Sequence, residues 1–308
     1  MSNVQTEKRV LSVSLGSSRR DKTVVIELLG QRIRVERRGT DGDLELFARL
    51  LREADGCVDV LCIGGANLAL HWRGRRYVIR DVARAIASVR RTPVVDGSRV
   101  KDTLERDAVR WVHENIQDLR ESRILLACAV DRFGMADELR HLGAKRVICG
   151  DLIFDVGIPI AIGFRAVDIL APLCLPLLTR LPFRWLYPTG QSQDEIRPKG
   201  EKWFRWAEVV AGDFLIIRRH MPDDLRGKLL ITNSTTQEDL ELLRQRGLRA
   251  VVTTSLRVEG RSFGTNVLEG ILIVLADRPV DELTKDDLRT IAQEVGWQPE
   301  LIELAHDP

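Results

Sequence analysis

The sequence predicts an α/β protein of two lobes with mostly parallel, Rossmann-like sheets, plus an N-terminal β-hairpin. Short apolar strands that alternate with helices are typical of parallel sheets. The 308 residues are enough for two hydrophobic cores. A long apolar stretch, 157–188, separates two series of such elements. We therefore expect an N-terminal lobe over 1–156, an apolar connector or hinge over 157–200, and a C-terminal lobe over 201–308.

The N-terminal lobe is predicted to begin with strands. Residues 10–15 alternate as a strand does, and the runs 23–29 and 32–37 flank Gly30 as the two arms of a hairpin. Acidic residues precede the periodic segment 44–54, which favours a helix. The further elements predicted in this lobe are strands at 58–63 and 93–95, a strand pair over 71–79, and helices at 81–90 and 102–116.

The most informative segment is 123–151, which predicts a strand, a tight turn, a short helix, a second strand and then Asp151. This is the layout of a nucleotide-binding βαβ unit, although Asp131 and Arg132 replace most of the usual glycine-rich turn. After the connector, the predicted elements are strands at 206–217, 228–231 and 250–253, and helices at 236–246 and 266–276.

Composition excludes some function classes. The 47 basic residues nearly balance the 45 acidic ones, so the chain gives no reason to expect nucleic-acid binding. The five cysteines form no CxxC pair, and neither they nor the histidines have metal-ligand spacing. Cysteines within apolar runs and a polar N-terminus predict a cytoplasmic protein without a metal site.

The apolar stretch 157–188 allows several interpretations. Its five prolines and four charged residues argue against a membrane-spanning helix. A buried interdomain connection, a membrane-surface helix and a lid over an apolar ligand remain open. Phe183 and Trp185 would suit either an interface anchor or a hinge.

Ligands of open α/β sheets bind beyond the carboxyl ends of the strands, and small polar residues recur at those positions here. In the βαβ unit, Arg132 would offset the charge of Asp131, Gly134 would allow close packing, and Asp151 would bind the ribose of a dinucleotide. A plain crossover without cofactor is the alternative.

Lys101 is the candidate proton-transfer residue, with Asp96 or Asp131 as its partner. An ordinary turn with an exposed lysine is the alternative at this position. Candidate substrate-binding residues share a position in polar loops before helices or after strands. They are Ser17, Ser18, Asn233, Thr235, Arg261 and Asn266.

The turn Gly16-Ser17-Ser18 also resembles the first phosphate loop of acetate-kinase-like and sugar-kinase-like folds. That resemblance implies a non-redox enzyme that uses a phosphate or nucleotide.

Several phrases spread over nearly the whole chain resemble a bacterial family labelled quinate 5-dehydrogenase-like. They are SVSLGSSRRDK at 12–22, RRGTDGD at 37–43, TPVVDGS at 92–98, VDRFGMADEL at 130–139 and GRSFGTNVLE at 260–269. The resemblance implies NAD(P)-linked oxidation of a polyhydroxy ring acid. The GxGGxxxA-like turn of quinate and shikimate dehydrogenases is missing from residues 127–134.

The leading hypothesis is therefore an NAD(P)-dependent oxidoreductase that binds a small quinate- or shikimate-like acid between its lobes. Lys101 would act as the general base. A kinase-like enzyme and a non-catalytic ligand-binding or membrane-surface protein are the competing hypotheses.

Overall fold

The computed structural model describes residues 7–183, 195–258 and 261–304. Two α/β domains with mostly parallel sheets form within these ranges, which confirms the predicted fold class. The strands are β1 (Lys8–Ser14), β2 (Lys22–Leu28), β3 (Gln31–Gly39), β4 (Val60–Gly64), β5 (Ala69–Trp72), β6 (Arg75–Val78), β7 (Val94–Val95), β8 (Arg123–Leu126), β9 (Arg146–Cys149), β10 (Val209–Gly212), β11 (Leu229–Thr232), β12 (Ala250–Thr253), β13 (Arg257–Val258), β14 (Arg261–Ser262) and β15 (Glu300–Glu303). The α-helices are α1 (Leu44–Ala54), α2 (Arg80–Ile86), α3 (Ser98–Lys101), α4 (Leu104–Asn115), α5 (Phe133–His141), α6 (Phe164–Leu178), α7 (Glu201–Trp206), α8 (Phe214–His220), α9 (Gln237–Gln245), α10 (Thr265–Ala276) and α11 (Lys285–Glu294).

The first domain has a five-stranded sheet in the order β2-β3-β1-β4-β7. Only β2 runs antiparallel, because it forms the predicted hairpin with β3. Leu29 and Gly30 both have positive φ, of 49° and 73°, as a two-residue turn between right-twisted strands requires. Helices α1 and α2 cover one face, where Phe47 and Leu51 meet Val13 and Ile63 in one core cluster.

The other face of the first sheet is covered by helices from far along the chain. Residues Val267 to Leu275 of α10 share a core cluster with Val10, Val60 and Cys62. A Cβ on Gly270 would lie 2.4 Å from Sγ of Cys62, so only glycine allows α10 to approach β4 this closely. The C-terminal part of the chain therefore completes the core of the N-terminal sheet.

The second domain has a six-stranded sheet in the order β15-β12-β11-β10-β8-β9, in which only β15 is antiparallel. Helices α4, α5 and α6 cover one face, and α7, α8 and α9 cover the other. Short runs such as 123–126 and 209–212 are buried on both faces, which explains why they are apolar without alternation.

The sheets divide the chain differently from the boundary predicted at residue 156. Strands β8 and β9 hydrogen-bond with each other, and β8 also pairs with β10, so 123–149 belong with the second sheet. Sequence order cannot reveal this pairing, because a parallel neighbour need not follow directly along the chain.

The expected connector 157–200 contains α6, which packs against the second sheet although Pro172 and Pro176 lie within it. Phe183 is almost fully buried in the first domain, so it is neither an exposed anchor nor a free hinge. Trp185 lies outside the described residues. None of the helices in the described ranges has the length and hydrophobicity needed to cross a membrane.

The strand predicted over 206–217 is also wrong in part. Residues 209–212 form β10, but Phe214–His220 is a helix, which Asp213 caps by accepting from the backbone N–H of Leu215. A short apolar run such as Phe214 to Ile217 does not distinguish a strand from a helix by periodicity.

Candidate functional site

Three polar residues meet between the two sheets. Asn67 follows β4, Lys101 ends α3, and Asp131 follows β8, so each lies just beyond the carboxyl end of a strand or in the next element. Nζ of Lys101 lies 2.8 Å from Oδ1 of Asp131 and 2.8 Å from Oδ1 of Asn67. Asn67 Nδ2 donates to Oδ1 of Asp131 over 2.5 Å. This closed triangle joins the first domain to the second.

The triangle is buried but reaches the surface at one corner. The side chain of Lys101 is 6% exposed and that of Asp131 is 16% exposed. Burial alone would raise the pKa of Asp131, but the positive charges of Lys101 and Arg132 and the hydrogen bonds hold it well below its usual range. Asp131 is therefore a carboxylate, and it is the more exposed partner of the ion pair.

The structure distinguishes between the two predicted partners of Lys101. Asp131 is its direct partner, whereas Asp96 accepts hydrogen bonds from the backbone N–H of Leu68 and from the N–H and hydroxyl of Ser98. Leu68 adjoins Asn67, and Ser98 begins the helix that ends at Lys101. Asp96 thus fixes the two loops that carry Asn67 and Lys101.

Arg132 is enclosed by carboxylates. Its Nη1 pairs with Glu105, its Nη2 pairs with Asp213, and its Nε lies 3.1 Å from Oδ2 of Asp131. Burial lowers the pKa of Arg132, and the three negative charges outweigh that effect and raise it. Each guanidinium nitrogen therefore faces a carboxylate of the second domain. The pairing with Asp131 agrees with the expected offset of its charge, but the enclosed guanidinium does not fit the predicted role in cofactor binding.

Asp151 likewise has an internal role. It accepts hydrogen bonds from the backbone N–H groups of Ala129 and Val130, each at 3.0 Å. These groups belong to the turn after β8, where a dinucleotide-binding fold presents N–H groups to pyrophosphate. Burial raises the pKa of Asp151, and these hydrogen bonds act in the opposite direction. The carboxylate already occupies the donors that the predicted cofactor would need.

Gly134 serves helix packing. A Cβ at this position would lie 1.7 Å from the carbonyl oxygen of Lys101, so α5 can contact α3 closely only because residue 134 has no side chain. The predicted cofactor residues therefore do not fit a pyrophosphate at this turn. The close contact instead holds the backbone of Lys101 against the helix that follows Asp131.

The predicted substrate residues have different surroundings in the structure. Asn233 joins the central network because its Nδ2 donates to Asp213 over 3.1 Å. Asn266 donates to the hydroxyl of Ser12 and ties α10 to β1. Thr235 is buried, and its hydroxyl has no hydrogen-bond partner among the described residues. The side chain of Arg261 lies outside the described part of the structure.

Ser17 and Ser18 hydrogen-bond with residues of their own loop and of the neighbouring strand end. Ser17 caps a short 3₁₀ turn by accepting from the N–H of Arg19, and Ser18 donates its N–H to Asp41. Arg37 donates to the carbonyl oxygen of Ser17. The loop is thus closed by internal hydrogen bonds, which gives the kinase-like interpretation no support.

Three residues of this network were given no catalytic or binding role from the sequence. Asn67 lies in a Gly-Gly-Ala-Asn turn after a predicted strand, and Asp213 follows a predicted strand glycine, so the strand-end rule contained the signal for both. Glu105 gave no such signal, because a helix residue with charged neighbours usually faces solvent. It is fully buried against Arg132.

A pocket of about 170 Å³ lies beside α3, the helix that carries Lys101. His71, which stacks on Phe133 at 4.7 Å between ring centroids, lines it together with the cationic residues Arg99 and Lys285. Burial lowers the pKa of His71. No group of three or more His, Cys, Asp or Glu residues in the described ranges is arranged to hold a metal ion.

Two family models match the sequence. One, described as "Domain of unknown function (DUF8754)", matches residues 99–304, and a second, "Domain of unknown function (DUF8753)", matches residues 9–96. No curated protein matches the sequence.

Solved structures match this chain only at low similarity. An NAD-dependent malic enzyme from Thermotoga maritima has 12% identity and a TM-score of 0.38, over 94% of this chain and 84% of that chain. GanP, a glucose-galactose binding protein from Geobacillus stearothermophilus, has 10% identity and a TM-score of 0.40, over 97% of this chain and 98% of that chain. A sugar transport substrate-binding protein from Bordetella parapertussis has 14% identity and a TM-score of 0.36, over 95% and 82%. Scores this low carry no inference about ligand or reaction.

Proposed function

The chain belongs to the DUF8754 family, and we propose that it is an enzyme in which Lys101 transfers a proton to or from an oxygen of a small acid. The observation that carries this proposal is the closed Asn67–Lys101–Asp131 triangle between the two domains. A buried lysine held by a carboxylate and an amide is oriented for proton transfer, which typically accelerates a reaction by about 10²–10⁴-fold.

The roles within the triangle follow from charge. In the resting ion pair Lys101 carries the proton, so it can donate that proton to a substrate oxygen that gains negative charge. In the reverse direction the resulting amine takes the proton back from a hydroxyl group. Asp131 and Asn67 hold the nitrogen in place throughout.

The substrate class is a small anion with hydroxyl or carbonyl oxygens. The pocket beside α3 holds about 170 Å³ and is lined by Ser98 and Arg99 of that helix, which precede Lys101. Lys285 also lines the pocket but pairs with Asp102, another lining residue, so Arg99 would bind the carboxylate of the substrate. The limited volume suits a molecule no larger than a hydroxylated ring acid. This supports the polyhydroxy acid that the family resemblance implies.

The redox form of this reaction also requires NAD(P), which would supply or accept a hydride. The residues predicted to hold that cofactor do not fit it, because Asp151 takes the backbone donors and Arg132 faces three carboxylates. We therefore derive no step through a nicotinamide, and the proposal is limited to proton transfer at Lys101.

The test begins with a panel of hydroxy and keto acids, quinate and shikimate included, in calorimetric titrations with and without NAD or NADP. Turnover of any acid that binds is then compared between the wild type and Lys101→Met. Lys145→Met is the control, since Lys145 forms only an exposed pair with Glu121.

We expect Lys101→Met to lose at least about 10²-fold in turnover and Lys145→Met to lose nothing. Full turnover in Lys101→Met would refute the role of this lysine. Binding of an acid without any binding of NAD or NADP would exclude an NAD(P)-dependent dehydrogenase. The proposal that Lys101 transfers a proton would then stand without that cofactor.

A further inference from the structure

Helix α6 exposes an apolar stripe. Ile169, Leu173 and Leu177 are 65%, 66% and 67% exposed, and their spacing of four residues places them on one face. The opposite face buries Val167 and Leu175 in the second domain. A helix that is apolar on its solvent side as well as on its core side presents a surface suited to a partner.

Positive charges border this stripe. At 100° per residue, Arg165 lies on the same face as the stripe near the start of the helix, and Arg180 follows two residues after the helix ends at Leu178. Both side chains are exposed. The only acidic residue of α6, Asp168, is paired with Arg140 and also accepts from Trp72. The exposed face of the helix therefore combines apolar and cationic side chains without a carboxylate.

A groove of about 540 Å³ between α2 and α6 continues this surface. Arg80, Arg84 and Arg180 line it, together with apolar atoms of Ala83 and Pro176. Neither Arg84 nor Arg180 forms an ion pair with any residue in the described ranges. The hydroxyl of Tyr77, another lining residue, is buried and has no hydrogen-bond partner in the same part of the chain. The groove thus offers unpaired donors around an apolar floor.

We propose that the α6 face and the α2–α6 groove dock on an anionic lipid bilayer, with the apolar stripe in the interface and the arginines on lipid phosphates. Interfacial helices combine these two features. The 15 residues of α6 span roughly 23 Å, too short to cross the hydrocarbon core, so the helix would lie in the plane of the surface.

Charge argues against a second copy of the chain as the occupant. If two α6 helices pair antiparallel about a two-fold axis, Arg165 of each copy meets Arg180 of the other. If they pair parallel, each arginine meets its own copy. Because the face has no carboxylate to compensate, both arrangements place like charges together, whereas an anionic bilayer complements them.

The first test is co-sedimentation with vesicles of phosphatidylcholine alone or mixed with phosphatidylglycerol. The wild type is expected to bind only the anionic vesicles. Leu173→Gln/Leu177→Gln and Arg84→Gln/Arg180→Gln should each bind roughly tenfold more weakly or worse. Arg205→Gln/Arg226→Gln removes the same charge from the opposite side of the second sheet, where both side chains are exposed, and should bind as the wild type does.

The second test uses the protein's own thiols. Cys174 lies exposed on α6 and Cys57 lies exposed in the first domain, while Cys62, Cys128 and Cys149 are buried. A water-soluble maleimide should label both exposed thiols without vesicles. Anionic vesicles should protect Cys174 and leave Cys57 reactive.

Other results would overturn the proposal. Equal binding to both vesicle types, or unchanged binding in the two α6 and groove variants, excludes this surface as the docking site. Protection of Cys174 without vesicles would show that something else covers the α6 face. That occupant is a second copy if the protein sediments as a dimer, and another segment of the same chain if it sediments as a monomer. Binding of an acidic peptide in place of vesicles would indicate a protein partner.

Discussion

Replacing Arg132 by glutamine should strongly destabilise the protein. Arg132 is 4% exposed and pairs with Glu105, whose side chain is fully buried, and with Asp213 and Asp131. Removing one partner of a buried ion pair typically costs about 3–5 kcal/mol, because the other charge stays buried without compensation. An exposed pair is worth only about 0–1 kcal/mol.

Arg123→Gln is the matched control. Arg123 pairs with Glu208 across strands of the same domain, but the two side chains are 43% and 45% exposed. Urea unfolding at pH 8 should show a loss of roughly 3–5 kcal/mol for Arg132→Gln and less than about 1 kcal/mol for Arg123→Gln, without a change in slope.

The loss in Arg132→Gln should also depend on pH. Burial raises the pKa of Glu105, and Arg132 opposes that rise in the wild type. Without Arg132 the pKa of Glu105 in the folded state rises further above its value in the unfolded state. The free energy of unfolding of the variant therefore falls as pH increases through the folded-state pKa of Glu105. The variant should therefore be closest to the wild type near pH 5. Equal losses in the two variants, or a loss that grows toward low pH, would refute the reasoning.

Three further predictions concern other buried groups. Burial raises the pKa of Glu269 to about 8 from an ordinary 4.5, so the free energy of unfolding should fall by up to roughly 5 kcal/mol as pH rises from 4 to 9. Glu269→Gln should lack this fall in urea titrations. Gly134→Ala should cost roughly 1–3 kcal/mol in thermal unfolding and reduce turnover, because the new Cβ would collide with the carbonyl group of Lys101. Gly163→Ala is the control: the atom nearest to its new Cβ is 3.6 Å away, so this variant should keep full turnover. Asp151→Ala should cost roughly 1–3 kcal/mol by leaving the N–H groups of Ala129 and Val130 unpaired, and an unchanged melting temperature would contradict this structural role.

The sequence was sufficient for the local elements with strong signals. The hairpin around Gly30 and the helix over 44–54 lie where the turn residue and the acidic N-terminus predicted them. Long-range pairing was not readable. The pairing of β8 with β10 and the packing of α10 on the first sheet depend on contacts between segments more than 80 residues apart. Proline at 172 and 176 predicted breaks, but packing of α6 against the second sheet retains the helix.

The candidate site was predictable in part for a physical reason. The carboxyl ends of parallel strands converge, which brought Lys101 and Asp131 together as the sequence allowed. The direction of each side chain is decided by its neighbours, however, and a sequence cannot show that Asp151 turns inward to bind Ala129 and Val130. For the same reason Arg132 was grouped with the cofactor-binding residues; its expected pairing with Asp131 is present, but Glu105 and Asp213 enclose it as well.

The return of α10 and α11 to the first sheet has a consequence for synthesis on the ribosome. Domains generally fold as units during translation, the N-terminal one first. Here the N-terminal sheet lacks the cover for Val10, Val60 and Cys62 until residues 265–292 have emerged. We therefore expect the nascent chain to carry an open hydrophobic face through most of its elongation and to be bound by chaperones that recognise such faces. A fragment limited to residues 9–96 would keep that face exposed and should aggregate rather than fold.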